Sequence, residues 1–383
     1  MTDNGILKIN TDRARRKFDA FREVFDEALR EKVGDNPGKD VRFTNDNYYF
    51  DAIRWPKEAH RNYAKQKAIR ALGLPEKQNV EVTTQCFLKC EFCILHSGAL
   101  TGARKKTFMC YADFESFFFQ IEPFLTHIEF TGGEPLLNKD LFRMVRLCNR
   151  HQVKTTVATN AQLLSQKKTE EMLDAPPSVL LVAYEGGDIR SYAAHRKGGD
   201  FSALEDRILK LVERKRMKGQ AYPRIQLQTV VSKKTVGQLA HFWEYAEKIG
   251  VDAACVKPVF IWPDGSPEYR QMMIDNYLIP DHLLSYHTLL PDGKLKETGV
   301  PNYCPNTRTV HIGAGGEVIP CWYNLLSSMP MGNVLEEHYI DIWFSEAYEE
   351  FRGKMASHTA YAHQCRHCIG IYNEKLFELR HFK

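Results

Sequence analysis

The sequence lacks the features of a membrane-anchored, secreted or nucleic-acid-binding protein. No stretch approaches the roughly 20 consecutive apolar residues that cross a bilayer, and residues 1–10 are polar, without the apolar run of a secretory signal. A formal net charge of +4 over 383 residues is too small to indicate nucleic acid or an anionic membrane as a partner. Low-complexity tracts and internal repeats are also missing. We therefore expect a cytoplasmic globular protein with neither kind of partner.

Ten cysteines stand out against this background. In the reducing cytosol, thiols are more often metal ligands or catalytic groups than partners in disulfides, so the spacing of these residues matters most. The composition is otherwise ordinary, and 43% hydrophobic residues in a chain of 383 can form a sizeable core. This length indicates two or three domains.

The apolar periodicity of the chain changes at about residue 77. Before it, Phe18, Phe21 and Phe25 recur at helical spacing, and a second such run follows Pro56, so residues 1–77 are predicted to form a helical extension. After it, short β-rich runs alternate with helical patterns, which is typical of βαβ units and a parallel α/β sheet. Six strands are predicted, near Val80–Thr84, His127–Thr131, Lys154–Thr159, Val179–Tyr184, Ile225–Val231 and Ala253–Val259. The helices between them include Tyr111–Phe124, Lys139–His151, Phe201–Met217 and Val236–Ile249.

The rest of the chain has a different pattern, so the core domain is expected to span 78–262. Residues 263–300 are rich in Pro, Tyr and Asp without a clear period, which indicates a linker. Residues 301–383 are expected to form a small α+β domain, in which Thr307–Ile312 and Glu317–Pro320 flank a glycine-rich turn and predict a hairpin. A helix near Asp341–Met355 and a Cys-Arg-His-Cys clip follow.

Three cysteines follow the first predicted strand as a CxxxCxxC loop, at Cys86, Cys90 and Cys93. Iron–sulfur clusters take several thiolates from one short loop, whereas structural zinc takes four ligands in a closed tetrahedron. Three local thiolates leave one iron of a four-iron cluster without a protein ligand, and an open metal position is where a substrate or cofactor coordinates. A zinc loop completed by His96 is the alternative.

The cysteine loop, with an aromatic residue before its last cysteine, resembles that of the radical S-adenosylmethionine (radical SAM) superfamily. A second motif agrees, because residues 131–135, Thr-Gly-Gly-Glu-Pro, follow the second strand and are similar to the Gly-Gly-Glu-Pro segment that in relatives contacts the methionine amino group of SAM. Residues 159–161, Thr-Asn-Ala, resemble the Thr-Asn-Gly of relatives, with Ala161 in place of glycine. From this resemblance, the candidate cofactor-binding residues are Phe92, Gly132, Gly133, Glu134, Pro135, Asn160 and Arg196.

The resemblance covers about residues 78–260 and 300–370 and implies both a fold and a chemistry. It implies a partial (β/α)6 barrel whose active site lies at the carboxyl ends of the strands, where the cysteine loop and the Gly-Gly loop emerge. It also implies a SAM-binding [4Fe-4S] cluster, reductive cleavage of SAM to a 5′-deoxyadenosyl radical, and abstraction of a hydrogen atom from substrate. An electron donor such as flavodoxin or ferredoxin is implied as a partner.

A second group of cysteines lies in the C-terminal region, at Cys304, Cys321, Cys365 and Cys368. This layout resembles the Twitch domain, the shortened form of the SPASM domain of radical SAM enzymes, which carries one auxiliary [4Fe-4S] cluster. Four cysteine ligands would saturate that cluster, which favours electron transfer or structural support over substrate binding. Two separated thiols plus a CxxC pair also suit a zinc ribbon, so that alternative stays open.

Single residues elsewhere complete the set of candidates. Glu185 follows the fourth strand, where relatives often carry Asp-Gly, and Arg196 precedes the next helix; each is either a site residue, a solvated loop charge or part of a structural ion pair. Cys255, in the sixth strand, is either an ordinary packed cysteine or a hydrogen-atom donor that faces the barrel interior. The candidate catalytic residues are therefore Glu185 and Cys255. Cys148 shares a helical face with apolar residues and is expected in the core.

The preferred function is oxidation of a small metabolite such as a sugar or aminocyclitol alcohol, with the auxiliary cluster accepting the second electron. The alternatives are a peptide-modifying enzyme of the maturase type, an epimerase with a cysteine donor, and a non-catalytic zinc scaffold. Against the maturase, residues 1–77 lack the strand-rich pattern of the peptide-binding domain that is fused to many such enzymes.

Overall fold

The computed structural model describes most of the chain from Pro75 onward. The predicted N-terminal helical extension and His96 lie outside the described residues. The described residues are Pro75, 77–95, 107–122, 125–262, 265–280, 284–296, Cys304, Asn306, 309–321, 330–362, Cys365, Arg366, Cys368 and 378–382.

Six βα units form the centre of the molecule, as the sequence predicts. Their strands are β1 Lys77–Thr83, β2 His127–Gly132, β3 Lys154–Thr159, β4 Val179–Ala183, β5 Arg224–Val231 and β6 Ala253–Pro258. The helices that follow these strands are α1 Tyr111–Ile121, α2 Leu141–Arg150, α3 Gln166–Asp174, α4 Ile189–His195, α5 Phe201–Met217, α6 Leu239–Ile249 and α7 Pro267–Asn276.

The helices begin and pack where the local sequence directs them. In α5, the Asp200 carboxylate accepts a hydrogen bond of 3.0 Å from the Ala203 amide and caps the first turn. Three apolar residues at helical spacing, Leu204, Ile208 and Leu211, are then fully buried against the sheet. Cys148 on α2 is also buried, which confirms its predicted place in the core.

The six strands are parallel neighbours in one twisted sheet. In the described residues the sheet has ten strands in the order β10-β6-β5-β4-β3-β2-β1-β7-β8-β9, in which β7 is Thr309–Ile312, β8 Glu317–Ile319, β9 Gly332–Asn333 and β10 Glu378–His381. The antiparallel β10 pairs with β6, and β7 pairs with β1, so additional strands flank the six-stranded core on both sides. This arrangement is the partial (β/α)6 barrel that the motifs imply.

The two faces of the sheet differ in chemistry. Alternate residues of the strands form the outer face, which packs against the helices in one apolar core and includes Val80, Val82, Ile128, Phe130, Leu227 and Val256. The residues between them form the inner face, which is polar and includes Glu81, Glu129, Gln226, Gln228, Cys255 and Lys257. A polar inner face is unusual for a parallel sheet, whose strands are commonly apolar on both sides, and it indicates a chamber for a polar reactant.

The predicted C-terminal hairpin is present, and it continues the central sheet. Strands β7 and β8 pair antiparallel, and β7 pairs in parallel register with β1 from Lys77 opposite Thr309. The turn between β7 and β8 places Gly316 at a φ of +88°, where an L side chain is strained. The helix expected near 341–355 is two helices, α8 Tyr339–Trp343 and α9 Glu346–Ala356, because Ser345 begins a new helix by accepting from the Tyr348 amide.

The segment expected to be a linker contains a helix, α7, so the expectation of irregular chain over 263–300 is wrong at 267–276. Tyr269, Met273 and Tyr277 are buried in a second apolar cluster beside the end of β6. The Tyr277 hydroxyl donates a hydrogen bond of 2.8 Å to Glu91 in the cysteine loop. This segment therefore forms a wall of the candidate site.

No helix within the described ranges is both long and apolar enough to span a membrane.

Candidate active site

The cysteine loop emerges from β1 at the carboxyl edge of the sheet and is held on both sides. The Cys93 amide donates to the Cys90 carbonyl at 3.1 Å, which closes a tight turn between two of the thiols. The Lys89 amide donates to the Lys197 carbonyl at 2.9 Å and fastens the loop to the segment after α4. Cys90 is buried, whereas Cys86 and Cys93 are half-buried, and all three are free thiols. The loop thus presents three thiols on one short, anchored segment.

Burial makes the thiols of this loop weaker acids than ordinary cysteines. Burial raises the pKa of Cys86 to about 11 and that of Cys93 to about 12. Thiols with such pKa values are protonated at neutral pH, and they release the proton to solvent when a metal ion binds the sulfur, because thiolate is the form that ligates. Among the described residues, no three Cys, His, Asp or Glu side chains converge on a single metal ion. Several thiolates from one short loop are the donor set that an iron–sulfur cluster takes, so the three thiols fit such a cluster.

The Gly-Gly segment packs against the beginning of the cysteine loop. The Gly133 amide donates to the Thr83 carbonyl, and the Glu134 amide donates to the Gln85 carbonyl, each at 2.7 Å. A Cβ atom on Gly133 would lie 2.0 Å from the Gln85 carbonyl oxygen. Glycine is therefore required here for a close approach of two backbones, and that approach sets the position of the residue just before Cys86.

The Glu134 carboxylate is buried and fully engaged within the protein. One oxygen accepts hydrogen bonds from the Thr159 hydroxyl at 2.6 Å and the Leu136 amide at 3.0 Å, and the other accepts from the Asn160 amide at 2.8 Å. Burial raises the pKa of Glu134, and these three hydrogen bonds oppose that rise. The carboxylate thus ties the loop after β2 to the loop after β3. The Glu134 backbone is engaged as well, because its amide donates to the Gln85 carbonyl and its carbonyl accepts from the Leu137 amide at 2.9 Å.

The loop after β3 brings Asn160 to the cysteine loop. The Asn160 side-chain amide lies 3.9 Å from Cys86 Sγ, and its oxygen accepts from the Gln162 amide at 2.9 Å. The next residue, Ala161, has a φ of +54°, a conformation that favours glycine. The departure from Thr-Asn-Gly therefore retains the turn and stores strain in it. Asn160 therefore lies beside the cysteine loop, and its contact with the cofactor stays a prediction.

Arg196 joins Glu185 to the cysteine loop. Its guanidinium donates to the two Glu185 oxygens at 2.6 and 2.9 Å, and its remaining nitrogen lies 3.8 Å from Cys90 Sγ. The same guanidinium lies 5.3 Å from the centre of the Phe92 ring. Glu185 has no exposed surface. The two residues thus form an ion pair beside the cysteine loop, which rules out the interpretation as solvated loop charges. A role of either residue in the site stays a prediction.

Cys255 faces the inner side of the sheet and contacts polar side chains there. Its sulfur accepts a hydrogen bond of 3.2 Å from Gln226 and lies 3.9 Å from the Gln228 amide oxygen. Burial raises its pKa to about 11, so the thiol keeps its hydrogen at neutral pH. Lys257, two residues later on the same face, is a residue that the sequence analysis missed. The signal was available, because strand periodicity places a lysine beside a candidate inward-facing cysteine.

The four C-terminal cysteines lie at the junction of the two apolar clusters. Cys304 and Cys365 pack against the first cluster, whereas Cys321 and Cys368 pack against the second, which also contains Phe92 of the cysteine loop. This places two of the four thiols in the same apolar cluster as the first cysteine loop. All four residues are half-buried cysteines that are not joined in disulfides.

A hydrogen-bond chain connects Cys321 to the central sheet. The Asn306 side-chain amide donates to Cys321 Sγ at 3.1 Å, and the Asn306 oxygen lies 3.2 Å from Nε2 of His311. The other ring nitrogen of His311 lies 3.1 Å from the Asn79 amide on β1. Burial lowers the pKa of His311 to about 3, so the ring is neutral and its Nε2–H donates to Asn306. Sequence spacing gave no sign of this chain.

Comparisons with known proteins place this geometry in a family. The model of the radical SAM superfamily matches residues 80–222, and that of the SPASM iron–sulfur cluster-binding domain matches residues 304–369. The chain is 27% identical to the tungsten-containing aldehyde ferredoxin oxidoreductase cofactor-modifying protein of Pyrococcus furiosus, over 71% of this chain and 82% of that protein. It is 23% identical to the PqqA peptide cyclase of Granulibacter bethesdensis, over 71% of this chain and 75% of that protein.

Solved structures agree on the fold. Streptococcus suis SuiB superposes with a TM-score of 0.58 at 19% identity, covering 93% of this chain and 82% of SuiB. SuiB bound to its precursor peptide SuiA superposes with a TM-score of 0.56 at 16% identity, covering 95% of this chain and 84% of SuiB. Because the two family matches include the two groups of cysteines, this chain belongs to the radical SAM superfamily and carries a SPASM iron–sulfur cluster-binding domain.

Proposed function

We propose that the protein is a radical SAM enzyme that modifies a peptide. The observation that carries this proposal is the similarity to PqqA peptide cyclase, which extends over 71% of the chain and three quarters of that enzyme. SuiB, which has the same fold, binds a precursor peptide, so the fold can hold such a substrate. Oxidation of a small metabolite, the function preferred from sequence, has less support, since these relatives are a peptide cyclase and a cofactor-modifying protein.

The radical SAM domain uses a [4Fe-4S] cluster and SAM, and the SPASM domain adds auxiliary iron–sulfur clusters. We assign the SAM-binding cluster to Cys86, Cys90 and Cys93, whose loop leaves one iron open. When bound, this pair of cofactors supplies one-electron cleavage of SAM and hydrogen-atom abstraction from substrate. We assign the auxiliary site to Cys304, Cys321, Cys365 and Cys368.

The chain's own residues around the first loop bind, orient and exclude water. Phe92 and Arg196 stack beside the buried Cys90, which restricts water on that side of the loop. Asn160 directs an amide N–H toward Cys86 Sγ, where it stabilises negative charge on sulfur. We assign both Arg196 and Asn160, with the backbone of residues 132–135, to the cofactor side of the chamber. Glu185 acts through Arg196 and is a positioning residue.

Anaerobic reconstitution tests the proposal directly. The protein loaded with iron and sulfide is incubated with SAM, dithionite and a library of synthetic peptides. We expect 5′-deoxyadenosine, a change in mass of one peptide, and loss of both in Cys90→Ala. Cys110→Ala is the matched control, because Cys110 is an exposed thiol outside both cysteine groups. An iron-replete protein that cleaves SAM but changes only small metabolites would refute peptide modification.

Modification of a cofactor is a second candidate, favoured by the similarity to the Pyrococcus furiosus protein over 82% of that protein's length. The two candidates differ in the molecule that loses hydrogen. Substrates deuterated at carbon transfer the label to 5′-deoxyadenosine only when they are the true substrate. Label from a deuterated peptide supports the first candidate, and label from the deuterated cofactor of a tungsten-containing aldehyde ferredoxin oxidoreductase supports the second.

A further inference from the structure

Lys257 occupies a position in the chamber that no motif explains. It is the penultimate residue of β6, at the carboxyl end of the strand, where parallel α/β enzymes place their active sites. Its strand neighbours Val256 and Ala254 face the helices, so Lys257 lies on the inner face with Cys255. It lies within electrostatic reach of Cys255, Glu185, Arg196 and Glu129.

The carboxylates near Lys257 already have other cations. Glu185 is bound at both oxygens by Arg196, and Glu129 pairs with Lys77 at 3.4 Å. Within the described part of the chain, Lys257 itself has neither a hydrogen bond nor an ion pair. Among the residues that the structure describes, Lys257 is therefore an inner-face ammonium without an ion-paired anion.

Such an arrangement is costly unless a ligand completes it. Lys257 is half-buried, so its ammonium has lost part of its hydration, and burial accordingly lowers its pKa. Lysines that serve only the fold are solvated or paired, since an uncompensated charge in a poorly hydrated place destabilises a protein. The neighbouring polar side chains, Gln226 and Gln228, can orient a polar ligand, but neither carries a charge that could pair with the ammonium.

We propose that Lys257 is a substrate-binding residue that pairs with a carboxylate of the substrate. The proposal rests on the proposed function, because a peptide offers such a group at Asp, at Glu or at its C-terminus. The ion pair would form beside Glu185 and Arg196, on the same edge of the sheet as the cysteine loop. It would thereby hold one end of the substrate at a fixed distance from the reacting centre, which is how a charge pair contributes orientation.

Binding of matched peptides tests the proposal without any turnover. The probes are acetyl-Gly-Glu-Gly-amide and acetyl-Gly-Gln-Gly-amide, which differ in one charge, titrated into the reconstituted holoenzyme with SAM. A charge-assisted hydrogen bond in a poorly solvated site predicts tighter binding of the Glu probe by about ten- to a hundredfold. Lys257→Met should reduce this preference to less than about twofold, and Lys257→Arg should retain most of it. Lys248→Met, at an exposed lysine on α6, is the matched control.

A second measurement on the wild-type protein avoids any dependence on the folding of a variant. Reductive methylation followed by mass spectrometry should label Lys257, and the Glu probe should protect it whereas the Gln probe should not. Equal affinity of the two probes, or a preference that persists in Lys257→Met, would overturn the proposal. A Lys257→Met variant that loses affinity for SAM but still prefers the Glu probe would also overturn the proposal, since Lys257 would then bind the cofactor. Failure to modify any peptide would refute the proposed function and leave the carboxylate preference measurable.

Discussion

Arg196 donates hydrogen bonds to both carboxylate oxygens of Glu185, at 2.6 and 2.9 Å, and its third nitrogen lies 3.8 Å from Cys90 Sγ. The two residues are close in sequence, but Cys90 lies 106 positions before Arg196. The ion pair therefore connects the loop after β4 to the cysteine loop. A fixed guanidinium beside a ligating sulfur favours the thiolate form of that ligand.

Replacement of Glu185 should therefore affect the fold and the cluster together. Glu185→Gln leaves Arg196 as a buried cation without a matching charge, so we expect a loss of about 3 kcal/mol in unfolding free energy. Urea unfolding of the iron-free, reduced protein measures this loss, and iron content after reconstitution measures the effect on the loop. Glu170→Gln is the control, because Glu170 forms only solvent-exposed ion pairs with Arg214 and Lys218. Equal effects in the two variants would contradict a special role for the buried pair.

Substitution of Gly133 should disturb the cysteine loop without touching a thiol. In Gly133→Ala the new methyl group would meet the Gln85 carbonyl oxygen at 2.0 Å, so one of the two backbones must move. We expect a loss of about 2 kcal/mol in stability and a clear fall in iron bound per chain. Gly237→Ala is the matched control, since a Cβ there has nothing within 4 Å. Full iron loading of Gly133→Ala would show that the close approach does not set the loop.

Hydrogen bonding to Cys321 should tune the auxiliary site. Asn306→Leu removes the side-chain amide that donates to Cys321 Sγ at 3.1 Å. Loss of about 1 kcal/mol of stabilisation of the reduced cluster corresponds to a potential more negative by about 40 mV for one electron. A redox titration followed by electron paramagnetic resonance measures this shift, in a chain whose first three cysteines are replaced by Ala so that one cluster remains.

The control for this shift is Asn149→Leu, because Asn149 donates only to the Pro176 carbonyl at 2.9 Å, away from both cysteine groups. An unchanged potential in Asn306→Leu would show that its hydrogen bond does not reach the cluster. A colourless protein that contains zinc and gives no signal would instead establish the zinc ribbon at these four cysteines.

Periodicity predicted the elements of the barrel well because each has one apolar face. Phe201–Met217 has the predicted bounds, since its buried residues recur at helical spacing. Lys154–Thr159 also has the predicted bounds, although three consecutive residues of this strand, 155–157, are buried. Helix α7 was missed because Tyr269 and Met273 are interspersed with Met272 and Ile274, so no single apolar stripe marks it. The pairing of β7 with β1 was also beyond prediction, because it joins residues more than 200 positions apart.

The site was predictable where its chemistry is written in short motifs. The cysteine spacing and the Gly-Gly-Glu-Pro segment name a class of enzyme, and the structure brings Asn160 and Arg196 to within 3.9 and 3.8 Å of two of those sulfurs. The sequence could not predict the partners of each polar side chain in the folded protein. The Glu134 carboxylate serves two loops, and the importance of Lys257 depends on which carboxylates elsewhere are already paired. Such relationships exist only after distant segments have met.

The fate of the substrate radical, once its hydrogen has passed to 5′-deoxyadenosine, depends on whether Cys255 donates a hydrogen atom to it. Its thiol stays protonated and faces the inner side of β6, as a hydrogen-atom donor must, but Gln226 already donates to its sulfur and little of it is exposed. We expect oxidative modification, so peptide product formed in D2O should carry no solvent deuterium at the reacting carbon. For the same reason, turnover of Cys255→Ala should stay within about threefold of wild type, as expected when only packing around a small buried side chain is lost. Mass spectrometry of the product checks both outcomes. A deuterium label that appears in the wild-type product and disappears in Cys255→Ala would show instead that this thiol returns hydrogen to the substrate, as an epimerase requires.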